Sequence, residues 1–248
     1  SYWYRRGRFY TENEINNSRK DIIYHEETEW NTVNDLLFKE LQKKKGLGDY
    51  FINDTNKNYV LSQASKIGLK VPKTLITNLK NDVLSFFKDE RIINKTISNV
   101  LSVNSNGKNY INRTVEIEKN SLPNHFYPSL FQQLIEKKYE LRIFYIKKHF
   151  FACAIFSQAN ENTIVDFRNY DYKNPNRKVP YQLPKLIQGK LQLLMDKLNL
   201  DTGSIDVIVD VWGNYYFIEV NPIGQFGMVS YPCNYSLEKI IAETLMGE

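Results

Sequence analysis

The sequence predicts a mixed fold in which helices and strands alternate, an α/β or α+β sandwich. In the first half, segments with helical apolar spacing alternate with short apolar strands, and the second half is rich in strand patterns. The composition is that of a globular protein, with 42% hydrophobic and 25% charged residues. This composition excludes a disordered chain, and 11 Gly and 8 Pro exclude a collagen-like chain.

In the first half, apolar spacing and helix-end signals define the elements. A helix is predicted over Asp21–Lys45, because its apolar residues recur at helical spacing and it ends in three lysines before Gly46. Lysines in a last turn complement the helix dipole, and glycine often stops a helix. The other predicted elements are a helix over Asn58–Gly68, a strand over Val71–Thr77, a helix over Asp82–Lys88, a strand over Arg91–Thr96, and a polar stretch over Ser98–Asn109 with a turn at Asn104–Gly107.

In the second half, strand signals are stronger. Within the strand predicted over Glu140–Ile146, successive side chains point to opposite faces, so Glu140 and Arg142 share one face. The remaining predicted elements are a partner strand over Phe150–Ser157 after a turn at Lys147–His149, a helix over Leu183–Leu198, a hairpin of Ser204–Val211 and Tyr215–Val220, and a terminal helix over Ser236–Leu245.

Two acids, Asp206 and Glu219, interrupt the apolar strands of the last predicted hairpin. A buried carboxylate without a partner is costly, and two acids side by side repel unless a divalent ion joins them. With the Asn221 amide, these acids offer the hard oxygen ligands that suit Mg²⁺ or Mn²⁺. The alternative is that both acids lie on the solvated outer face of an edge hairpin.

Four basic residues are each open to two interpretations. Lys57 and Lys95 lie at the junctions of predicted elements, where a lysine either contacts phosphate or is simply solvated. Arg142 either forms a salt bridge with Glu140 on its own strand or binds an anion. Arg168 likewise either pairs with a nearby acid or binds an anion.

Several functional classes lack their signatures. Two cysteines are too few for a disulfide framework; we predict Cys153 in the core and Cys233, after a proline, at the surface. No GxGxxG, GxxxxGK[ST] or HExxH motif occurs, so dinucleotide-binding, P-loop and zincin folds are not indicated. No apolar run reaches the ~18–20 residues of a membrane span, and no signal peptide is apparent. A cytoplasmic protein is therefore expected, and a net charge of +5 does not indicate nucleic-acid binding.

Taken in order along the chain, these motifs resemble those of ATP-grasp ligases. Gly203-Ser204-Ile205-Asp206-Val207, followed by Glu219-Val220-Asn221, is similar to the metal-binding hairpin of D-alanine–D-alanine ligases. The closer resemblance is to ATP-grasp maturases of ribosomally made peptides, the microviridin-type (graspetide) ligases and, nearest, the maturases encoded beside SPASM-domain partners. It covers essentially the whole chain and rests on five motifs: Tyr2-Trp3-Tyr4-Arg5-Arg6-Gly7, Pro128-Ser129-Leu130-Phe131-Gln132, Lys138-Tyr139-Glu140-Leu141-Arg142, Asp166-Phe167-Arg168 and Glu219-Val220-Asn221-Pro222-Ile223-Gly224-Gln225-Phe226.

The resemblance implies an α+β ATP-grasp fold, in which two α+β lobes clasp ATP and the N-terminal lobe is truncated. Residues 1–54 would be the remainder of that N-terminal lobe, 55–132 the central lobe, and 133–248 the C-terminal lobe with the metal site. The polar stretch over Ser98–Asn109 would lie where the family has its phosphate-covering loop.

The resemblance also implies roles for individual residues. Lys57 and Lys95 would contact the phosphates of ATP, and Glu140 would hold the ribose hydroxyls. Arg142 and Arg168 would be the catalytic cations, near the transferring phosphate and the substrate. Adenine would be read by the backbone of a hinge that contains Gln133, Leu134, Ile135 and Glu136. Mg²⁺ or Mn²⁺ would be held by Asp206, Glu219 and Asn221.

The implied activity is ATP-dependent ligation within a ribosomal precursor peptide that has a leader and a core. Asp or Glu side chains of the peptide would become acyl phosphates, and Ser/Thr hydroxyls or Lys amines would attack them to form ester or amide crosslinks. A homodimer is a further expectation; nucleic-acid and membrane partners are not expected. Three alternatives stay open: a ligase that adds free amino acids to a protein or small substrate, a non-catalytic nucleotide- or peptide-binding module, and an interaction domain without ligand.

Overall fold

A computed structural model describes residues 1–7, 9, 20–98, 102–105, 108–111, 114–158 and 175–247. In these ranges the elements are β1 (Tyr2–Trp3), α1 (Lys20–Gln42), β2 (Gly46–Leu47), α2 (Lys57–Lys66), β3 (Thr74–Leu79), α3 (Lys80–Phe87), β4 (Ile92–Lys95), β5 (Ser102–Ser105), β6 (Lys108–Ile111), β7 (Val115–Ile117), a 3₁₀ turn (Lys119–Ser121), β8 (His125–Gln133), β9 (Lys137–Ile146), β10 (His149–Phe156), β11 (Arg177–Tyr181), α4 (Lys185–Lys197), β12 (Thr202–Asp210), β13 (Tyr215–Asn221), α5 (Gly227–Cys233) and α6 (Leu237–Met246).

Two antiparallel sheets organise the fold. One has five strands in the order β11-β10-β9-β12-β13, and the other has four in the order β3-β8-β4-β7. Two small ribbons accompany them, β1 with β2 in parallel and β5 with β6 in antiparallel pairing. Helices packed against antiparallel sheets make an α+β fold, and this part of the prediction is confirmed.

One face of the five-stranded sheet forms the largest apolar core. Ile143 of β9 and Ile205 of β12 are fully buried there, and they pack with Ala64 of α2 and Leu194 of α4. Fully burying an isoleucine or leucine side chain stabilises the fold by about 1.5–3 kcal/mol relative to leaving it exposed. This layer therefore anchors the sheet, and its strands are held in a fixed register.

The opposite face of the same sheet has an apolar part and a charged part. Helices α5 and α6 cover its apolar part, where Phe144 and Ile155 are completely buried. Cys153 lies in this cluster, as predicted, but the expectation that Cys233 is exposed is wrong, because α5 carries Cys233 into the same cluster. The other part of this face carries charged side chains and forms the candidate site.

Several element boundaries differ from the prediction. Helix α1 ends at Gln42, so the three lysines that follow form the turn into β2 rather than the last helical turn. The strand predicted over Val71–Thr77 begins after Pro72 and runs over Thr74–Leu79, and the next helix begins directly behind it at Lys80. The polar stretch contains β5, which pairs with β6. The predicted turn therefore overlaps β5 at Asn104 and Ser105, and residues 106–107 lie outside the described part.

Strands β8 and β11 were not predicted, because each contains a proline. Pro128 falls where the pairing of β8 with β3 is irregular, between the partners of Thr77 and Leu79. Pro180 lies in β11, an edge strand of the five-stranded sheet. Both are positions where a missing backbone N–H is tolerated, at an irregularity or at an edge.

Candidate functional site

Three charged residues form a row across the five-stranded sheet. Asp206 in β12 is the register partner of Arg142 in β9 on one side and of Glu219 in β13 on the other. Directly opposed residues share a face and have Cβ atoms roughly 4.5–5.5 Å apart. Asn221 lies two positions beyond Glu219, opposite Ser204, and so belongs to the same face. The fold therefore brings the three predicted metal ligands and a predicted catalytic arginine together.

Arg142 holds Asp206 by a two-pronged ion pair. Its Nη1 donates to Oδ1 at 2.6 Å and to Oδ2 at 2.7 Å. The two side chains are only 12% and 17% exposed, so water weakens this pair less than it weakens a surface pair. A salt bridge between Arg142 and Glu140, the local alternative, does not form: Glu140 has a different cationic partner, Lys137. Within the described residues, the buried Nε of Arg142 has no hydrogen-bond partner.

The donor set at this row fits a hard divalent cation. Glu219 is half-buried beside Asp206 and forms no ion pair with another described residue. The Asn221 Oδ1 atom accepts a hydrogen bond from the Ile223 backbone N–H at 3.0 Å, which fixes the amide. Two carboxylates and an amide oxygen on one face are ligands that Mg²⁺ prefers. Asp206 is little exposed on an interior strand, which argues against the alternative of solvated acids on an edge.

A divalent ion at this position would need further oxygen ligands. Among the described residues, no group of three or more His, Cys, Asp or Glu side chains is arranged to hold a metal. Two protein carboxylates with the remaining ligands from water and substrate phosphates are typical of Mg²⁺ sites, in contrast to all-protein cages.

Glu140 is fixed through one of its two oxygens. Its Oε1 atom accepts from Lys137 Nζ at 2.5 Å and from Ser157 Oγ at 2.9 Å. Burial raises the pKa of Glu140; Lys137 and Ser157 oppose this shift, and the charge of Asp206 adds to it. The side chain lies on the same strand face as Arg142, two positions away, so Glu140 adjoins the charged row.

Lys137 and Ser157 are the residues that sequence reasoning missed. In a regular strand, residues three apart lie on opposite faces, so Lys137 and Glu140 gave no signal of contact. The pairing of β9 with β12 is irregular here, because Tyr139 faces Val209 whereas Lys137 faces Asp210. The extra residue in β9 turns Lys137 onto the face of Glu140, as a bulge does.

The two predicted phosphate-contacting lysines lie at element ends. Lys95 is the last residue of β4, as predicted, and its Nζ donates to Gln132 Oε1 at 2.8 Å. Gln132 in turn donates to Thr74 Oγ1 at 3.0 Å, so the side chain that holds Lys95 is itself held. Lys57 begins α2, and its Nζ donates to the Ser98 carbonyl at 3.1 Å. Neither lysine is a purely solvated side chain.

The predicted hinge joins the two large sheets directly. Strand β8 ends at Gln133 and β9 begins at Lys137. The backbone N–H groups of Gln133 and Leu134 donate to the carbonyls of Lys73 and Arg91, both at 2.9 Å. Within the described residues, the backbone N–H of Ile135 has no such bond, so this donor remains available to a ligand.

Arg168 falls outside the described residues, so its predicted role stays a prediction. A cavity of about 700 Å³ lies beside the start of β12, and Tyr2, Lys147 and Asp201 are among its lining residues. None of the predicted site residues in the described ranges lines this cavity. No helix in the described part of the chain has both the length and the apolar character needed to cross a membrane.

Comparison with known proteins places this geometry in a known fold. No protein-family model and no curated protein matches the sequence. Among solved structures, it is similar to an RiPP-associated ATP-grasp ligase of Chryseobacterium gregarium in complex with ADP and a leader and core peptide, where RiPP denotes a ribosomally synthesised, modified peptide. The TM-score is 0.84 and the identity 27%, over 98% of this chain and 75% of that ligase.

Two macrocyclases of Microcystis aeruginosa MRC are also similar. MdnC, bound with its precursor peptide MdnA, has a TM-score of 0.82 and 28% identity over 100% of this chain and 78% of its own. MdnB, at 23% identity and a TM-score of 0.74, covers 99% of this chain and 76% of its own, and shows the same fold. The ATP-grasp fold and the resemblance to ATP-grasp ligases of ribosomal peptides are thus confirmed.

Proposed function

We propose that this chain, which has the ATP-grasp fold of ligases that modify ribosomal peptides, is itself an ADP-forming peptide ligase. It would activate Asp or Glu side chains of a precursor peptide as acyl phosphates. A Ser or Thr hydroxyl, or a Lys amine, of the same peptide would then attack and close a ring by an ester or amide bond. The observation that carries the proposal is the row of Arg142, Asp206 and Glu219 across one sheet face.

The row supports this chemistry because phosphoryl transfer needs positioned charge more than a protein nucleophile. Asp206, Glu219 and Asn221 would hold Mg²⁺, or Mn²⁺, which when bound offsets the negative charge of the triphosphate. The Chryseobacterium ligase was solved with ADP, which supports the choice of ATP as the nucleotide.

The nucleotide would lie between the two large sheets, along the hinge. The free backbone edge at Ile135 would pair with adenine, with Gln133, Leu134 and Glu136 as its neighbours. Glu140 would accept hydrogen bonds from the ribose hydroxyls, and Lys57 and Lys95 would contact the phosphates. These assignments are supported by the short connection from β8 to β9 and by the face that Glu140 shares with Arg142.

Arg142 would stabilise the negative charge that develops on the phosphoryl group during its transfer. In the first step, an oxygen of the peptide carboxylate bonds to the γ-phosphorus and the bond to ADP breaks. In the second step, the hydroxyl or amine bonds to the acyl carbon and phosphate leaves, so the peptide loses one water overall. The Arg142 guanidinium retains donors beyond those used on Asp206 and can stabilise the transferring phosphoryl group. Arg168 would be a second cation on the substrate side.

The proposal has consequences for partners and organisation. The partner would be a precursor peptide with leader and core. The Chryseobacterium ligase was solved with a leader and core peptide, and MdnC with its precursor peptide MdnA. A division at residues 54 and 132, a homodimer, a cytoplasmic location, and the absence of nucleic-acid and membrane partners complete the hypothesis.

The test is ADP release in the presence of Mg²⁺, with and without a precursor peptide. The proposal expects ADP formation that depends on the peptide and is lost in Glu219→Gln. ADP release that needs a free amino acid instead of the peptide's own nucleophile would overturn the crosslinking reaction. No nucleotide binding at all would overturn the whole proposal.

A further inference from the structure

The Glu140 carboxylate is anchored asymmetrically. Both of its donors, Lys137 Nζ and Ser157 Oγ, reach the same oxygen, Oε1. Within the described residues, the other oxygen, Oε2, forms no hydrogen bond. A carboxylate oxygen can accept more than one hydrogen bond, so Oε2 retains its acceptor capacity.

The anchoring pair is deeply buried. The side chain of Lys137 is only 4% exposed and that of Glu140 14%, while Ser157 is completely buried. A lysine is rarely buried to this degree unless it is paired, and the desolvation of both charges largely offsets the attraction of a buried ion pair. General stability therefore explains this arrangement poorly. Its geometric effect, a carboxylate locked in one orientation, is the better explanation.

We propose that Lys137 and Ser157 are positioning residues that present Oε2 of Glu140 to the two vicinal hydroxyls of the nucleotide's ribose. The inference rests on the proposed function, in which Glu140 binds ribose. With Oε1 held by two protein donors, Oε2 would be the acceptor for two ligand donors. The pair thereby becomes a determinant of specificity for ribonucleotides over deoxyribonucleotides.

The physical basis is the cost of an acceptor that a bound nucleotide covers without donating a hydrogen bond to it. A site built to hydrogen-bond a hydroxyl rejects an analogue that lacks it, because its buried polar group is then left unsatisfied. That penalty applies only while Glu140 is held in place and ionised. Without Lys137, the buried carboxylate loses its cationic partner and either protonates or turns away, and the discrimination disappears.

The experiment compares the affinities of ATP and 2′-deoxyATP, with Mg²⁺, for the wild-type chain and for Lys137→Met, Ser157→Ala and Lys138→Met. Lys138 is the matched control, because it is an exposed lysine adjacent to Lys137. The wild type and Lys138→Met are expected to prefer ATP by about tenfold or more. In Lys137→Met and Ser157→Ala, the affinity for ATP should fall while that for 2′-deoxyATP changes little, so the preference shrinks towards unity.

The outcomes separate this inference from the proposed function. If both nucleotides lose affinity equally in the two variants, the residues are merely structural and the inference is wrong. The same conclusion follows if the wild type binds ATP without preferring it to 2′-deoxyATP, although the proposed function then survives. If the wild type binds neither nucleotide, both are wrong. Ser157→Ala removes a single hydroxyl, so it keeps the test decisive if Lys137→Met fails to fold.

Discussion

Arg142 Nη1 lies 2.6 Å and 2.7 Å from the two carboxylate oxygens of Asp206, and Glu219 is the register partner of Asp206 on the other side. Asp206 is thus shared between a cation and a position where a metal ion would lie. Asp206 would be one of the residues that hold Mg²⁺, and Arg142 would use its remaining donors on the phosphates.

Glu219→Gln should abolish peptide ligation, because an Mg²⁺ ligand loses its charge while its shape is kept. We expect a loss of at least about 100-fold in the rate of ADP release at saturating ATP. Glu118→Gln is the matched control, since Glu118 is an exposed glutamate. A Glu219→Gln protein with wild-type turnover would remove the metal assignment.

Arg142→Met should separate stability from catalysis. The variant removes the guanidinium that donates to the largely buried Asp206 carboxylate, so the free energy of unfolding should fall by about 1–3 kcal/mol. Adding Asp206→Asn should recover part of that stability, as measured by urea unfolding, but should not recover ADP release. Activity that returns together with stability would show that Arg142 has only a structural role.

Lys95→Ala should weaken ATP binding, because Gln132 holds the lysine at the end of β4 in a fixed position. We expect the dissociation constant of ATP, measured calorimetrically with Mg²⁺, to rise about tenfold or more, the scale of one lost charge-assisted hydrogen bond. Lys57→Ala should act in the same direction. Lys73→Ala is the control, since Lys73 is exposed and pairs with Glu90. Equal nucleotide affinities in the Lys95 variant and the control would contradict the phosphate contact.

Asp210 should make the hairpin of β12 and β13 sensitive to acid. Burial alone would raise the pKa of this carboxyl, but hydrogen bonds from Asn214 and the Trp212 N–H, with the charge of Lys70, lower the pKa below its ordinary value. Because the folded-state pKa is the lower one, the stabilisation is present above the unfolded-state pKa of about 3.9. It is lost as the pH falls through the folded-state pKa.

Asp210→Asn should therefore lower the free energy of unfolding at pH 7 by about 1–3 kcal/mol. The difference between wild type and variant should shrink as the pH is lowered below about 4. Urea unfolding at a series of pH values measures both quantities. A difference that stays constant down to pH 2 would show that ionised Asp210 adds nothing.

Local patterns predicted the hairpin that carries Asp206 and Glu219, since apolar alternation identifies paired strands without long-range information. The sequence did not identify the partner of Arg142, because that contact depends on the pairing of strands that are distant in the chain. Glu140, two residues away, was the partner that the sequence suggested, whereas Asp206 reaches Arg142 only because β9 pairs with β12, far away in the chain.

Irregular strand pairing and prolines explain why the contact of Lys137 and two of the strands were not predicted. Lys137 reaches Glu140 because of the irregularity near the start of β9, which a period of two residues does not anticipate. Pro128 and Pro180 concealed two strands, one at a pairing irregularity and one at a sheet edge. Arg168 received a role from the motif resemblance alone, and that role remains a prediction.

The central claim, ring closure within a peptide, is tested by the mass of the precursor peptide encoded beside this protein's gene. The peptide is incubated with the chain, ATP and Mg²⁺, and compared with a reaction that contains Glu219→Gln. The account predicts a loss of one water per ring, resistance of the modified Asp or Glu side chains to carboxyl labelling, and no change with the variant. A gain in mass equal to an added amino acid, or an unmodified peptide despite peptide-dependent ADP release, would contradict it.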